Sequence, residues 1–124
     1  MRAMRLDGDG QQWGVPTATA LSWEPLERYG DVPVTGVEVA ALWGRGDTQA
    51  LAVRFAPGAH FPMHAASVRA FVQIISGEGT MAVPDADAVT FGAGDLFVFP
   101  PGMEHEWRDI TQPCELFVCE ISDG

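Results

Sequence analysis

The sequence predicts an all-β jelly roll, and three observations predict it. The 124-residue chain is 47% hydrophobic, enough for one independent core and too short for two ordinary domains. Its apolar residues fall in short runs rich in Val, Phe and Ile, with no helix-period pattern of useful length. Fourteen Gly and nine Pro are scattered between those runs, as many tight turns between strands require. The expected organisation is a mobile N-terminal arm over residues 1–20 followed by a single domain over residues 21–124.

The elements follow in order. Residues 1–20 are polar, Gly-rich and aperiodic, and Trp13 suits an arm that docks on a partner subunit. After residues 23–26 comes the stretch 32–43, whose last part alternates enough to be a strand, and Gly44-Arg45-Gly46-Asp47 is a turn by composition. Residues 51–55 form the next strand, stopped by Pro57-Gly58. Residues 60–66 are extended, with Pro62 arguing for an edge or bulged position. The apolar run 71–75 ends in the turn Ser76-Gly77-Glu78-Gly79. Residues 80–83, 89–91 and 96–99 are short strands bounded by Pro84-Asp85-Ala86-Asp87, Gly92-Ala93-Gly94-Asp95 and Pro100-Pro101-Gly102. Residues 105–108 and 115–121 supply the last two. About eight or more strands, with a turn signal roughly every ten residues, describe a jelly roll.

A formal charge of −10 opposes approach to phosphate backbones and anionic lipid, so neither nucleic acid nor a membrane is an expected partner. No run approaches the roughly 18 apolar residues of a membrane span, and the first eight residues lack the apolar core of a signal peptide. A cytoplasmic location follows as the expectation. Cys114 and Cys119 are an odd number of positions apart in one strand, which sends them to opposite faces and argues against a disulfide between them.

Two spaced segments carry the functional signal. Residues 94–109 read Gly94-Asp95-Leu96-Phe97-Val98-Phe99-Pro100-Pro101-Gly102-Met103-Glu104-His105-Glu106-Trp107-Arg108-Asp109. This resembles the second cupin motif, G-x5-P-x-G-x2-H-x3-N, with Asp109 in place of the final Asn. Residues 58–77 resemble the first, G-x5-H-x-H-x3-E-x6-G, with Gly58, His64 and Gly77 in register and Ala66 and Ala70 where the second His and the Glu stand. On these motifs the chain is identified as similar to the cupin superfamily over about residues 37–121, and within it to small bacterial cupins of the ChrR anti-sigma-factor type. The resemblance implies a double-stranded β-helix barrel, a homodimer, and a site inside the barrel.

By that resemblance His64 and His105 are the two surviving ligand positions. Two neutral imidazoles would hold a divalent metal (Fe, Mn, Ni or Zn) weakly, so the cofactor is either such an ion or none. His60 shares the face of His64 by parity, but four residues along a strand span roughly 13 Å. It could complete a three-histidine site only through a bulge at Pro62, and otherwise belongs at the barrel mouth, against substrate or solvent. Glu104, in the turn before His105, could reach inward as a third catalytic group. Met63, Met81, Phe97, Phe99 and Trp107, with Phe61, could shape a pocket for a flat ligand, and Ala66 and Ala70 would enlarge its floor. Gln73, on the opposite face by register, could meet a subunit contact. Arg54 reads as a salt-bridge partner.

The function expected from this set is a small-molecule enzyme acting on an organic acid, ketone or aromatic inside the barrel. His64 and His105 would serve as acid and base in isomerase, cyclase or lyase chemistry, or as ligands of a weakly held metal. The alternatives are a dioxygenase with a rebuilt three-histidine metal site and a non-catalytic ligand-binding or sensor domain.

Overall fold

One strand organises the molecule. The computed structural model describes residues 1–5 and 17–123. Within them lie β1 (Ala3–Arg5), β2 (Thr17–Thr19), β3 (Glu24–Pro25), β4 (Arg28–Tyr29), β5 (Val32–Pro33), β6 (Thr35–Arg45) and β7 (Thr48–His64). The remainder are β8 (Arg69–Ser76), β9 (Gly79–Ala82), β10 (Val89–Phe91), β11 (Leu96–Phe99), β12 (His105–Arg108) and β13 (Cys114–Ile121). The pairing order is β10-β9-β12-β7-β13-β8-β11, all antiparallel, with β6 also on β7 and β3 on β6. The long β7 therefore serves both walls of a jelly-roll barrel. Its first half lies between β6 and β13, and its second half pairs with β12. No helix long and apolar enough to cross a membrane occurs among the described residues.

β7 corrects one expectation. Pro57-Gly58 does not stop the strand; it bends it from one wall into the other, which is how barrel corners are made. Gly58 takes φ 81° there, and its N–H donates to Ile110 O at 2.8 Å, so the corner is hydrogen-bonded without being a chain reversal. Alternation along the strands fills the interior with Val37, Val53, Phe55, Val72, Ile74 and Leu116. Gly77 closes β8 with φ 92°, and a Cβ there would lie 2.5 Å from both Cys114 Sγ and Pro113 O. Asp109 adopts φ 53°, a left-handed conformation that Asp and Asn tolerate best among residues with a side chain.

The expected arm is partly described: β1 and β2 pair with each other, the Met1 ammonium contacts Glu115 of β13, and Trp13 lies outside the described residues. On the outer face, Gln73 donates to Gly94 O at 3.1 Å, so the adjoining turn of its own chain satisfies the amide. Arg54 pairs with Glu38 at 3.0 Å and stacks 4.2 Å from the Trp23 ring centroid. Cys114 faces the interior, Cys119 the opposite side, and both are free.

Candidate active site

Between the two walls lies a cavity of about 100 Å³. Its wall is mostly aliphatic and aromatic, and it holds the polar side chains of Tyr29, His64, His105, Trp107 and Glu120. His64 ends β7 and His105 begins β12, directly opposite it in the antiparallel register. Between them and the next pair, Phe61 and Trp107, β7 has one residue more than β12. That β-bulge at Pro62–Met63 fits a proline, which has no N–H to give to a ladder. The bulge lets Phe61 and His64, three positions apart, both face inward.

The two imidazoles are held by stacking and by their Nδ1 atoms. His64 lies on Phe61 with centroids 3.7 Å apart and planes 17° from parallel, and His105 lies on Phe99 at 3.9 Å and 11°. His64 Nδ1 is 2.8 Å from Pro62 O and His105 Nδ1 is 3.2 Å from Met103 O. A carbonyl only accepts, so in the neutral rings Nδ1 carries the proton and Nε2 keeps its lone pair. The ring centroids are 4.3 Å apart. Burial lowers the pKa of His64, partly offset by the Pro62 carbonyl, and burial followed by the neighbouring His64 lowers that of His105 from 6.5 to about 4. At neutral pH the site therefore presents two uncharged bases.

The same bulge that brings Phe61 inward turns His60 out, contrary to its expected parity. His60 is 49% exposed and its Nε2 lies 2.7 Å from Glu106 Oε2, on the other side of the sheet from the cavity. It is therefore neither a ligand beside His64 nor a group at the mouth of this cavity. Glu104 stands exposed in its turn and does not reach inward. Ala66, Ala70 and Trp107 line the cavity, whereas Met63, Met81, Phe97 and Phe99 lie outside its wall. Phe99 instead backs His105, and Phe97 packs edge-on to Trp107 at 5.5 Å.

Two wall residues were not singled out from the sequence. Tyr29 sits at the end of a hairpin whose loop is Gly30-Asp31, and its ring meets His64 at 5.2 Å and Phe61 at 5.7 Å. Glu120 faces inward beside Leu116 and Val118, opposite Ala70 on β8 and Gln49 on β7, and accepts from Gln49 Nε2 at 3.2 Å. Each left a trace: the Gly-Asp pair is a hairpin signal, and strict alternation from Cys114 carries Glu120 to the apolar face. Burial, then the charge of Glu120, raises the Tyr29 pKa, which keeps its hydroxyl protonated.

A metal of the kind the motifs imply would need donors beyond the two imidazoles. Ala66 and Ala70 present only methyl groups at the two remaining motif positions, and among the described residues no three His, Cys, Asp or Glu side chains are grouped to hold an ion. The donor set does not fit a metal centre with three or four protein ligands.

The barrel has clear likenesses among solved structures. A cupin 2 conserved barrel domain protein from Rhodopseudomonas palustris superposes with a TM-score of 0.70 at 18% identity, covering 100% of this chain and 81% of that one. The polyketide cyclase RemF from Streptomyces resistomycificus gives 0.67 at 16% identity, covering 81% and 73%. A cupin-like protein from Thermotoga maritima gives 0.63 at 23% identity, covering 76% and 75%. At these identities the likeness is one of fold. A search of curated proteins returned no match. The family model described as Cupin domain matches residues 51–120, from within β7 to within β13 and so through both motif histidines. With the jelly roll and the placement of His64 and His105 inside it, that match makes the chain a member of the cupin family.

Proposed function

We propose that this cupin is a small-molecule enzyme that moves a proton within its barrel, with His64 as the base and His105 as its partner. The observation that carries the reading is the pair of stacked, uncharged imidazoles, each pinned through Nδ1 to a carbonyl, in an apolar cavity. Nε2 of His64 accepts a proton from substrate. His105, with the lower pKa, stays neutral beside the imidazolium that forms and offers its own Nε2 as a hydrogen-bond acceptor. The Tyr29 hydroxyl is a donor at the same cavity. A cavity of about 100 Å³ supports a small organic molecule as the substrate, and isomerisation, cyclisation or elimination needs no more than such a base and donor. A polyketide cyclase among proteins of the same fold is in keeping with this chemistry.

We take the active form to be a homodimer in the cytoplasm. Leu96 and Val98, 55% and 49% exposed on the edge strand β11, support the first, and the two free cysteines the second.

The test is exchange of substrate C–H for deuterium in D2O, followed by NMR over a panel of small enolisable carbonyl compounds. Wild type should accelerate exchange of at least one, and His64→Gln should lower that rate about 100-fold or more. Exchange at the buffer rate throughout, or rates untouched in both His64→Gln and His105→Gln, would reject the enzyme reading. Binding without exchange would place the chain among ligand-binding cupins instead.

A further inference from the structure

Among the described residues that line the cavity, Glu120 brings the one carboxylate. No arginine is among them and the chain contains no lysine, so no permanent cation faces Glu120 there. Its position is the more telling because other carboxylates on the strands have cationic partners. Glu38 pairs with Arg54, Glu106 with Arg108, and Glu115 with the Met1 ammonium. Glu120 has only the neutral Gln49 amide, on Oε1, among the described residues. A half-buried carboxylate that faces the cavity with no cationic partner among the described residues is available to a cationic ligand.

The surroundings specify what would do so. The rings of Tyr29, Phe55, Phe61 and Trp107 line the same cavity, and aromatic faces attract cations. Both Nε2 lone pairs accept hydrogen bonds. Towards solvent, a vestibule of about 470 Å³ shares Leu26, Tyr29, Val39, Leu51 and Glu120 with the cavity, and the charged side chains that line it among the described residues are Glu24 and Glu120. With −10 overall, the field along this route draws cations in and turns anions away.

Resting on the reading of the cavity as the ligand site, we infer that its ligand is a small organic ammonium, with the charged nitrogen against Glu120 and the aromatic rings and the apolar body toward His64 and His105. An organic acid would place like charges together in a low-dielectric wall, so the acids allowed by the sequence are poor candidates. A cavity smaller than one that holds benzene limits the body to about four carbon atoms.

Three probes with one isopropyl body separate the possibilities: isobutylammonium, isobutanol and isobutyrate. Each is titrated into the full chain at pH 7.5 while the ring Cε1–H resonances of His64 and His105 are followed. The ammonium should bind at least tenfold more tightly than the alcohol, and isobutyrate should shift neither resonance. Glu120→Gln, nearly isosteric, should bring the ammonium to within about twofold of the alcohol, and Ala66→Leu should abolish all shifts by filling the cavity. Equal or tighter binding of the alcohol, or a preference that survives Glu120→Gln, overturns the ammonium assignment while the cavity remains a ligand site. No shift with any probe, or shifts that persist in Ala66→Leu, overturns both.

Discussion

His105 is almost wholly buried, clamped between the Met103 carbonyl and the Phe99 ring, and this has a cost that depends on pH. Its folded pKa of about 4 lies below the unfolded value of 6.5, so as pH falls the unfolded chain takes up this proton first. The contribution to stability is complete above pH 6.5 and is lost as pH drops toward 4, a difference of about 3 kcal/mol. Urea unfolding at pH 7 and pH 4.5 should show a larger loss for wild type than for His105→Gln; equal losses would mean that the ring is not buried neutral. At Ala66 and Ala70 the missing groups can be put back. Ala66→His with Ala70→Glu adds two donors facing the cavity, and isothermal titration with Zn²⁺ should show affinity raised about 100-fold or more over wild type. An unchanged affinity would mean that the backbone at these positions no longer aims side chains at His64.

At the scale of elements, turn geometry is what the glycines secure. Gly77→Ala introduces a Cβ at positive φ into contact with Cys114 Sγ and Pro113 O, and should cost about 2–4 kcal/mol, read as a fall in the urea midpoint without change in slope. A change below 0.5 kcal/mol would show that the β8–β13 connection yields more easily than its close contacts imply. The short strands β8 to β13 were legible because each is an apolar run between turn residues. So was the opposite facing of Cys114 and Cys119, because parity holds along an unbroken strand, and so was the ion pair of Arg54, because an arginine in so acidic a chain finds a carboxylate. At two places one local signal has two physical outcomes. Pro57-Gly58 can end a strand or bend it, and only the partners of β7 on either side decide which. A bulge at Pro62 was anticipated as the one way to bring His60 to the metal position, yet its effect is the reverse, because inserting a residue inverts the facing of everything before it. Tyr29 was missed for a different reason: β4 and β5 are two residues each, too short for alternation to register.

For the whole molecule, the proposed homodimer is the first expectation to test. Sedimentation velocity at micromolar concentration should give the mass of two chains, and Leu96→Glu with Val98→Glu the mass of one; a wild type that sediments as one chain at every concentration would refute the dimer. The sharing of β7 by both walls bears on how the barrel opens. Two sheets that each closed on their own strands could open independently, but here neither wall can lose its ladder without releasing a strand that the other also uses. Amide hydrogen exchange under native conditions should therefore give the buried amides of β7, β12 and β13 one common opening free energy, equal to that of global unfolding. The histidines would then be exposed to solvent from below only when the whole barrel comes apart, whereas the hairpin bearing Tyr29, whose two strands pair only with each other among the described residues, is a part of the cavity wall that can move without breaking that ladder.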